Sequence, residues 1–239
     1  MLINIDAGHG SNTAGKRTPP IPMDIDINDD GKVDIKKGEQ YREHYANVGV
    51  ANLLVQELER CGIKTMRTGW NDTNSKDDSD TALADRQKAI AQADCDYSIS
   101  IHFNAFGDGY TFNSAQGVGI YIHDKYYNQS EKLAKNVLTK LIEGTKQTNR
   151  GITRQALAMC NCNNMDVKAA ILVELAFMTN EHEATKLMPR KISGWNARRR
   201  SAGEYVSLLG LSMYQKVFHQ QSLLTLNHPQ RISTGQSIG

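Results

Sequence analysis

The chain opens with Met1-Leu2-Ile3-Asn4-Ile5-Asp6-Ala7-Gly8-His9-Gly10, and the rest of the fold can be worked out from this stretch. The apolar run at residues 2–5 has the length of a buried strand and is too short for a core helix. It ends at two glycines, both free to adopt positive φ, that flank His9. His9 therefore follows the carboxyl end of a strand, where ligands and reactive groups collect in open α/β sheets. On its own this position suits a polar turn residue as well as a metal ligand or a base.

Strands and helices alternate along the rest of the chain. Residues 43–60 carry apolar side chains on one helical face, and Gly62 ends this helix as a C′ glycine. The alternation predicts an α/β fold, a single domain with a mostly parallel twisted sheet and helices on both faces. We expect this domain to span residues 1–217, followed by a polar C-terminal tail at 218–239. The other predicted strands are 63–68, 97–103, 118–123, 156–159 and 170–173, and the other predicted helices are 81–93, one after Asn128, one after Asn180, and 195–218.

The composition narrows the class of protein. A length of 239 residues fits one large domain. The net charge of +2, with no basic run, gives no support for nucleic-acid binding. No apolar stretch approaches the roughly 20 residues of a membrane-spanning helix. Asp6 and His9 interrupt any signal-peptide core, so we expect synthesis in the cytoplasm without a signal peptide. We also expect a monomer whose four cysteines are reduced, because their spacing fits no zinc finger.

Ionisable residues stand where three apolar strands end. His9 follows the first strand, His102 lies at the end of strand 97–103, and Glu174 follows the apolar run 170–173. Glu43 opens the first long helix. Two imidazoles and one carboxylate make a catalytic zinc set whose fourth position is left to water. Glu174 emerges from an apolar run, so it is partly desolvated and suits a general base, although a structural ion pair suits it equally well.

The third metal ligand has competitors. Glu43 lies in the first turn of a helix, where a carboxylate simply suits the helix dipole. His44 is its neighbour, and adjacent helical residues point about 100° apart, so at most one of the two faces the site. His123, at the end of another predicted strand, is a further candidate. Spacing alone does not choose among them.

An acidic segment lies between His9 and the first helix. Counted from Asp26 it reads D-x-N-x-D-G-x-V-D, the first nine positions of an EF-hand-like calcium loop. Lys37 occupies the twelfth position, where a bidentate carboxylate is expected. The segment therefore suits either a calcium loop or an acidic surface loop with a turn at Gly31. The candidate calcium ligands are Asp26, Asn28, Asp30 and Asp34.

Four motifs appear in an order typical of one family. They are Ile5-Asp6-Ala7-Gly8-His9-Gly10, Glu43-x-x-x-Asn47, Ser100-Ile101-His102-Phe103-Asn104-Ala105 and Leu172-Val173-Glu174-Leu175-Ala176-Phe177-Met178-Thr179-Asn180. Over residues 1 to about 217 the chain resembles the zinc-dependent N-acetylmuramoyl-L-alanine amidases of the amidase-3 type, which include cell-wall hydrolases and phage endolysins.

The resemblance implies a role for each matching residue. It makes His9, Glu43 and His102 the zinc ligands and Glu174 the catalytic glutamate, with Glu43 preferred over His44 because Asn47 follows four residues later. The list of expected supporting or substrate-binding residues is Asn47, Asn104 and Arg17, the last in a loop similar to one in some phage lysins.

The resemblance also implies a reaction and a substrate. The reaction is hydrolysis of the amide between N-acetylmuramic acid and L-alanine in peptidoglycan, on the bacterial cell wall. Because we expect no signal peptide, a phage or prophage endolysin is favoured over a host cell-wall amidase. Two alternatives remain: a zinc peptidase that cuts within the stem peptide, and a non-catalytic wall-binding module. The segment between His9 and Glu43 is longer than the family leads us to expect, and it holds the acidic loop.

Overall fold

The computed structural model describes residues 1–26 and 31–187, which form eight strands, five α-helices and one 3₁₀ helix. In chain order the elements are β1 (Leu2–Ala7), β2 (Arg17–Pro20), β3 (Gln40–Arg42), α1 (Glu43–Arg60), β4 (Lys64–Thr68), α2 (Leu83–Gln92), β5 (Tyr97–Asn104), β6 (Val118–Ile122), α3 (Ser130–Thr145), β7 (Asn149–Arg154), a 3₁₀ turn (Ala158–Cys160), α4 (Cys162–Met165), β8 (Ala169–Phe177) and α5 (Glu181–Leu187).

Six of the strands form one sheet in the order β4-β1-β5-β8-β6-β7. The first four run parallel, β6 runs antiparallel to β8, and β7 runs parallel to β6. The predicted α/β fold with a mostly parallel sheet is confirmed. Because β1, β5 and β8 are parallel neighbours, their carboxyl ends share one edge of the sheet. His102 on β5 lies directly opposite Glu174 on β8 in the strand register.

Helices cover both faces of the sheet, as predicted. α1 and α3 pack on one face, against side chains such as Ile3, Ile5 and Ile99. α2 and α4 lie over the other face, with Ile90 and Met165 in a smaller apolar cluster. Each strand serves both faces because successive strand side chains alternate in direction. The face under α2 also holds a buried row of polar side chains. The turn that follows β1 and carries His9, the His9 turn, is attached to this row.

The strand predicted at residues 156–159 is wrong. The strand next to β6, at one edge of the sheet, is β7, and residues 158–160 instead form the 3₁₀ turn. β7 escaped prediction because most of its side chains are exposed or half-buried and polar, so it lacks an apolar alternation. Its pairing with β6 comes from backbone hydrogen bonds, which leave no periodic signal in the sequence.

The helix starts were predicted with mixed success. The helix predicted after Asn180 is confirmed as α5, and Asn180 caps it by accepting a hydrogen bond from the backbone N–H of Glu183 at 3.1 Å. Asn128 does not cap α3, because its Nδ2 donates to the carbonyl of Val167 and the helix begins after Gln129. The predicted helix 195–218, the tail 218–239 and the domain boundary at 217 lie outside the described residues.

Two further findings concern the described part of the chain. No helix within residues 1–26 and 31–187 is both long and apolar enough to cross a membrane. All four cysteines are free thiols, as expected from their spacing. Burial raises the pKa of Cys160 to about 12, which makes that thiol unreactive at neutral pH.

Candidate metal centre

Three side chains meet at the carboxyl edge of the sheet. The ligand atoms of His9, Glu43 and His102 all lie within 4.8 Å of one another. The Glu43 carboxylate stands between the two rings, with Oε2 3.2 Å from Nε2 of His9 and Oε1 2.9 Å from Nδ1 of His102. The two imidazoles meet edge to face, with centroids 4.8 Å apart. Two imidazole nitrogens and one carboxylate oxygen form the donor set of a catalytic zinc site, so these residues fit the ion.

The turn after β1 brings His9 into this cluster through an unusual backbone conformation. His9 itself has a φ of 63°, in the left-handed region that residues other than glycine rarely adopt. Gly8 and Gly10, although free to adopt positive φ, are not among the described glycines that do so. Both glycines serve close packing instead: a Cβ on Gly8 would lie 2.1 Å from Cε1 of His102, and one on Gly10 would lie 2.2 Å from the backbone nitrogen of Asp80.

Gly8→Ala is expected to weaken zinc binding by at least about tenfold, because the added methyl group must displace the His102 ring. Competition with a chromophoric chelator measures the zinc Kd. Gly49→Ala is the matched control, since a Cβ at this α1 position meets nothing within 4 Å. An unchanged zinc Kd in Gly8→Ala would show that the packing of Gly8 on His102 does not matter for the metal.

Glu43 is the buried member of the cluster, with a side chain only 2% exposed. It begins α1, and its backbone N–H donates to the carbonyl of Lys16 at 3.0 Å. Its Oε1 also accepts a hydrogen bond from the backbone N–H of Phe103 at 3.1 Å. Burial acts to raise the pKa of Glu43, but hydrogen bonds from His102 and His9 hold that pKa well below its ordinary range. The carboxylate is therefore ionised at neutral pH and ready to bind a cation.

The pKa of His102 shifts in the direction opposite to that of Glu43. Burial acts to lower the pKa of His102, but the hydrogen bond and the negative charge of Glu43 outweigh it and raise the pKa above its ordinary value. Without a metal, a proton on His102 balances the charge of the buried Glu43 carboxylate. A divalent ion would replace that proton, so metal binding should release a proton and weaken as the pH falls.

Glu174 lies beside this cluster. It sits on β8 opposite His102, and its Oε2 is buried and makes no hydrogen bond within residues 1–26 and 31–187. Burial raises the pKa of Glu174 to about 7; the negative charge of Glu43 adds to this rise, whereas His102 and Lys16 oppose it. A carboxylate with a pKa near neutrality can both take and give a proton under physiological conditions.

Comparison with known proteins identifies the family of the chain. The family model for N-acetylmuramoyl-L-alanine amidases, Amidase_3, matches residues 3–194. The chain belongs to this amidase family. It is 28% identical over 151 residues to the amidase LytC of Bacillus subtilis, a match that covers 63% of this chain and 28% of LytC.

Two other relatives span more of their own length. The uncharacterized protein YqiI of Bacillus subtilis is 24% identical over 186 residues, which cover 77% of this chain and 74% of YqiI. In fold, the chain resembles the crystal structure of an N-acetylmuramoyl-L-alanine amidase from Clostridium difficile 630, with a TM-score of 0.63 and 22% identity. That likeness covers 95% of this chain and 98% of the Clostridium chain.

The two other candidate metal ligands, His44 and His123, lie outside this cluster. His44 is buried behind the cluster, with Nδ1 2.9 Å from the carbonyl oxygen of Gly8 and Nε2 3.0 Å from Oδ2 of Asp78. Both ring nitrogens of His44 are therefore used in holding the His9 turn. His123 lies at the opposite edge of the sheet, because β6 runs antiparallel to β8. Its Nδ1 accepts hydrogen bonds from the backbone N–H groups of Lys125 and Tyr126.

The three expected supporting residues have different surroundings. Asn47 is fully buried in α1, and its Nδ2 donates to the carbonyl of Gly8 at 3.0 Å, so it supports the His9 turn. Asn104 ends β5, and its Oδ1 accepts from the backbone N–H of Ala105. Arg17 lies in the small β2–β3 sheet, where it pairs with Arg42 through the backbone. A role in substrate binding stays a prediction for Asn104 and Arg17.

The acidic segment gives calcium no support in its described part. Asn28 and Asp30 lie outside the described residues. Asp26 is buried and accepts a hydrogen bond from the backbone N–H of Gly31 at 2.9 Å, and Asp34 forms an ion pair with Lys76. A backbone bridge between Ile25 and Ile35 ties the two arms of the segment together. The insertion is thus attached to the fold by its own buried residues.

The sequence reading missed the groups that surround the His9 turn. The backbone carbonyl of Asp78 accepts from the N–H of Ser11 at 2.7 Å, and Arg86 reaches the turn from α2. A cavity of about 550 Å³ opens beside His9 and His102, with Arg86 and residues 157–159 among its walls. Arg86 could have been suspected, because it lies four residues before Ile90 and so shares the buried face of α2.

Proposed function

We propose that this amidase is a zinc-dependent hydrolase of the amide between N-acetylmuramic acid and L-alanine in peptidoglycan. The observation that carries the proposal is the placement of a three-ligand cluster, His9, Glu43 and His102, beside Glu174, whose buried Oε2 makes no hydrogen bond within the described residues. Membership of the amidase family supports the choice of bond. The role as a phage or prophage endolysin stays a prediction from the sequence.

The proposed mechanism divides the work among these four residues. His9, Glu43 and His102 would hold the zinc ion, which supplies a Lewis acid that polarises the amide carbonyl and eases deprotonation of water. The Glu174 carboxylate would accept the proton of the attacking water at its buried oxygen and pass it to the nitrogen of L-alanine as the C–N bond breaks. The products are a free lactyl carboxylate on the sugar and a peptide with a free amino terminus.

The test is product analysis after purified peptidoglycan is digested with zinc-loaded protein. Mass spectrometry should find peptides that begin with a free L-alanine amino terminus and glycan with intact lactyl-muramic acid. A chelator should abolish both products, and added zinc should restore them. Cleavage inside the stem peptide would overturn the choice of bond and establish the peptidase alternative, whereas zinc-loaded protein without any product would favour the wall-binding module.

Activity should fall on the acid side of neutrality, because Glu174 must be ionised to accept a proton. Its pKa, raised to about 7 in the metal-free protein, would be lowered by a bound cation, so the midpoint should lie at or below about pH 7. Below the midpoint kcat/KM should drop about tenfold per pH unit, and above it a plateau is expected. A pH profile of kcat/KM with a soluble muramyl peptide measures this limb.

Substitution of Lys16 offers a control, because it should shift the acid limb of the pH profile to higher pH. The positive charge of Lys16 lowers the pKa of Glu174, so Lys16→Met should move the acid limb to higher pH. The size of this shift should shrink in high salt, since Lys16 is exposed and its field is screened. A limb that stays at the same pH in Lys16→Met would indicate that another group titrates.

A further inference from the structure

Arg86 is a buried cation whose hydrogen-bonding capacity is fully used next to the metal cluster. It lies on α2, and its side chain is only 2% exposed. A guanidinium group has five N–H donors, and each of them meets an acceptor. Nη1 donates to Oδ1 of Asp6 at 3.0 Å and to the carbonyl of Ala7 at 2.9 Å. Nη2 donates to the carbonyl of His9 at 2.8 Å and to Oδ1 of Asp80 at 2.9 Å, and Nε donates to Thr81.

These contacts hold the His9 turn on both sides. The carbonyls of Ala7 and His9 lie on either side of Gly8, and one planar guanidinium holds both. His9 needs such support, because a left-handed φ is unfavourable for a residue with a Cβ and persists only where its surroundings impose it. A planar fork with fixed donor directions can fix two carbonyls at once, which the single ammonium of a lysine cannot do.

The guanidinium is itself held in place by Asp6, which is fixed by further hydrogen bonds. Asp6 accepts hydrogen bonds from the hydroxyls of Thr68 at 2.9 Å and Ser100 at 2.5 Å, in addition to that from Arg86. Gly69 leaves room for the arrangement, since a Cβ there would lie 2.3 Å from both the Ala7 carbonyl oxygen and Nη1 of Arg86. The charge of Arg86 is balanced by Asp6 and Asp80, so its role is geometric.

We propose that Arg86 is a positioning residue for the metal centre: by holding the carbonyls of Ala7 and His9, it fixes the left-handed turn that directs the His9 ring toward Glu43 and His102. This inference rests on the proposed zinc-dependent function. It predicts that loss of the planar fork weakens zinc binding although Arg86 touches neither the metal ligands' ring atoms nor their carboxylate.

The test is the zinc Kd of Arg86→Lys, measured by chelator competition on the full chain. We expect an increase of about 10- to 100-fold, the range typical of residues that orient a metal ligand. Saturating zinc should then restore part of kcat. Ser98→Ala is the control, because Ser98 Oγ accepts from Nδ2 of Asn4 in the same buried polar layer but does not contact the His9 turn. The Ser98→Ala variant should have a lower free energy of unfolding than the wild type but the same zinc Kd.

A pair of glycine variants tests the same point if Arg86→Lys does not fold. Gly69 and Gly62 both have left-handed φ, 79° and 77°, so alanine brings similar backbone strain at either position. At Gly69 the new Cβ collides with the carbonyl oxygen of Ala7 and with Nη1 of Arg86, whereas at Gly62 it meets nothing within 4 Å. Gly69→Ala should therefore raise the zinc Kd at least about tenfold above that of Gly62→Ala.

The outcomes separate this inference from the proposed function. A wild-type protein that binds no zinc would sink the proposed function, and the inference with it. If the wild type binds zinc and cleaves the amide, while Arg86→Lys or, failing its folding, Gly69→Ala has the zinc Kd of its control, the positioning role is wrong and the function stands.

Discussion

Glu174→Gln is expected to lower kcat by about 10²- to 10⁴-fold while zinc content and fold remain those of the wild type. Glutamine keeps the size of the side chain but cannot act as the base, and within the described residues the buried Oε2 of Glu174 has no hydrogen-bond partner beside the metal cluster. Steady-state kinetics with a muramyl peptide and metal analysis of the same sample measure both quantities.

Two features make this substitution diagnostic. The acid limb of the pH profile should disappear in Glu174→Gln, because the titrating base is gone. The variant should also be at least as stable as the wild type at neutral pH, since desolvation disfavours the charged form of Glu174 and the substitution removes that charge. Residual activity within about threefold of the wild type would place the base on another residue and contradict the mechanism.

Glu43→Gln is expected to lower zinc affinity by more than the 10- to 100-fold loss that changes around a metal site typically produce, and to abolish activity at ordinary zinc concentrations. Glu43 supplies the only carboxylate of the cluster and lies within 3.2 Å of both imidazoles. Zinc Kd and activity as a function of added zinc are the measurements. His123→Asn, at the opposite edge of the sheet, should bind zinc like the wild type.

The same substitution has a second expected result in the metal-free protein. The hydrogen bond and charge of Glu43 raise the pKa of His102, so their removal should lower that pKa. The sign follows from burial, which alone favours the neutral ring. An NMR titration of the His102 ring in zinc-free wild type and Glu43→Gln measures the difference. A His102 pKa that stays the same or rises in the variant would mean that the carboxylate does not contact this ring in solution.

The strand-end part of the site could be predicted because its signal is local. His9, His102 and Glu174 each stand where an apolar run stops, and parallel neighbours bring such positions to one edge. The choice between Glu43 and His44 could not be made from spacing. Both are buried at the start of α1, and they differ in direction: Glu43 points to the imidazoles, and His44 points to Gly8 and Asp78.

The support for the turn depends on long-range packing and left little trace in the sequence. Arg86 and the carbonyls it holds lie 77 to 79 residues apart and meet only when α2 packs over the sheet. The glycines of the turn were correctly singled out, but their close packing was not predicted. Gly8 is needed because the His102 ring passes close to it, a contact that joins two different strands. Local backbone preference carries no information about such a contact.

The most direct test of the central claim is anomalous diffraction at the zinc edge from crystals of the zinc-loaded protein. We expect one strong peak at about 2.0–2.2 Å from a ring nitrogen of His9, a ring nitrogen of His102 and a carboxylate oxygen of Glu43. Glu174 should lie beside the peak without serving as one of those three ligands. A peak on His44 or in the acidic segment between His9 and Glu43, or no peak in zinc-saturated crystals, would contradict the assignment of the metal centre.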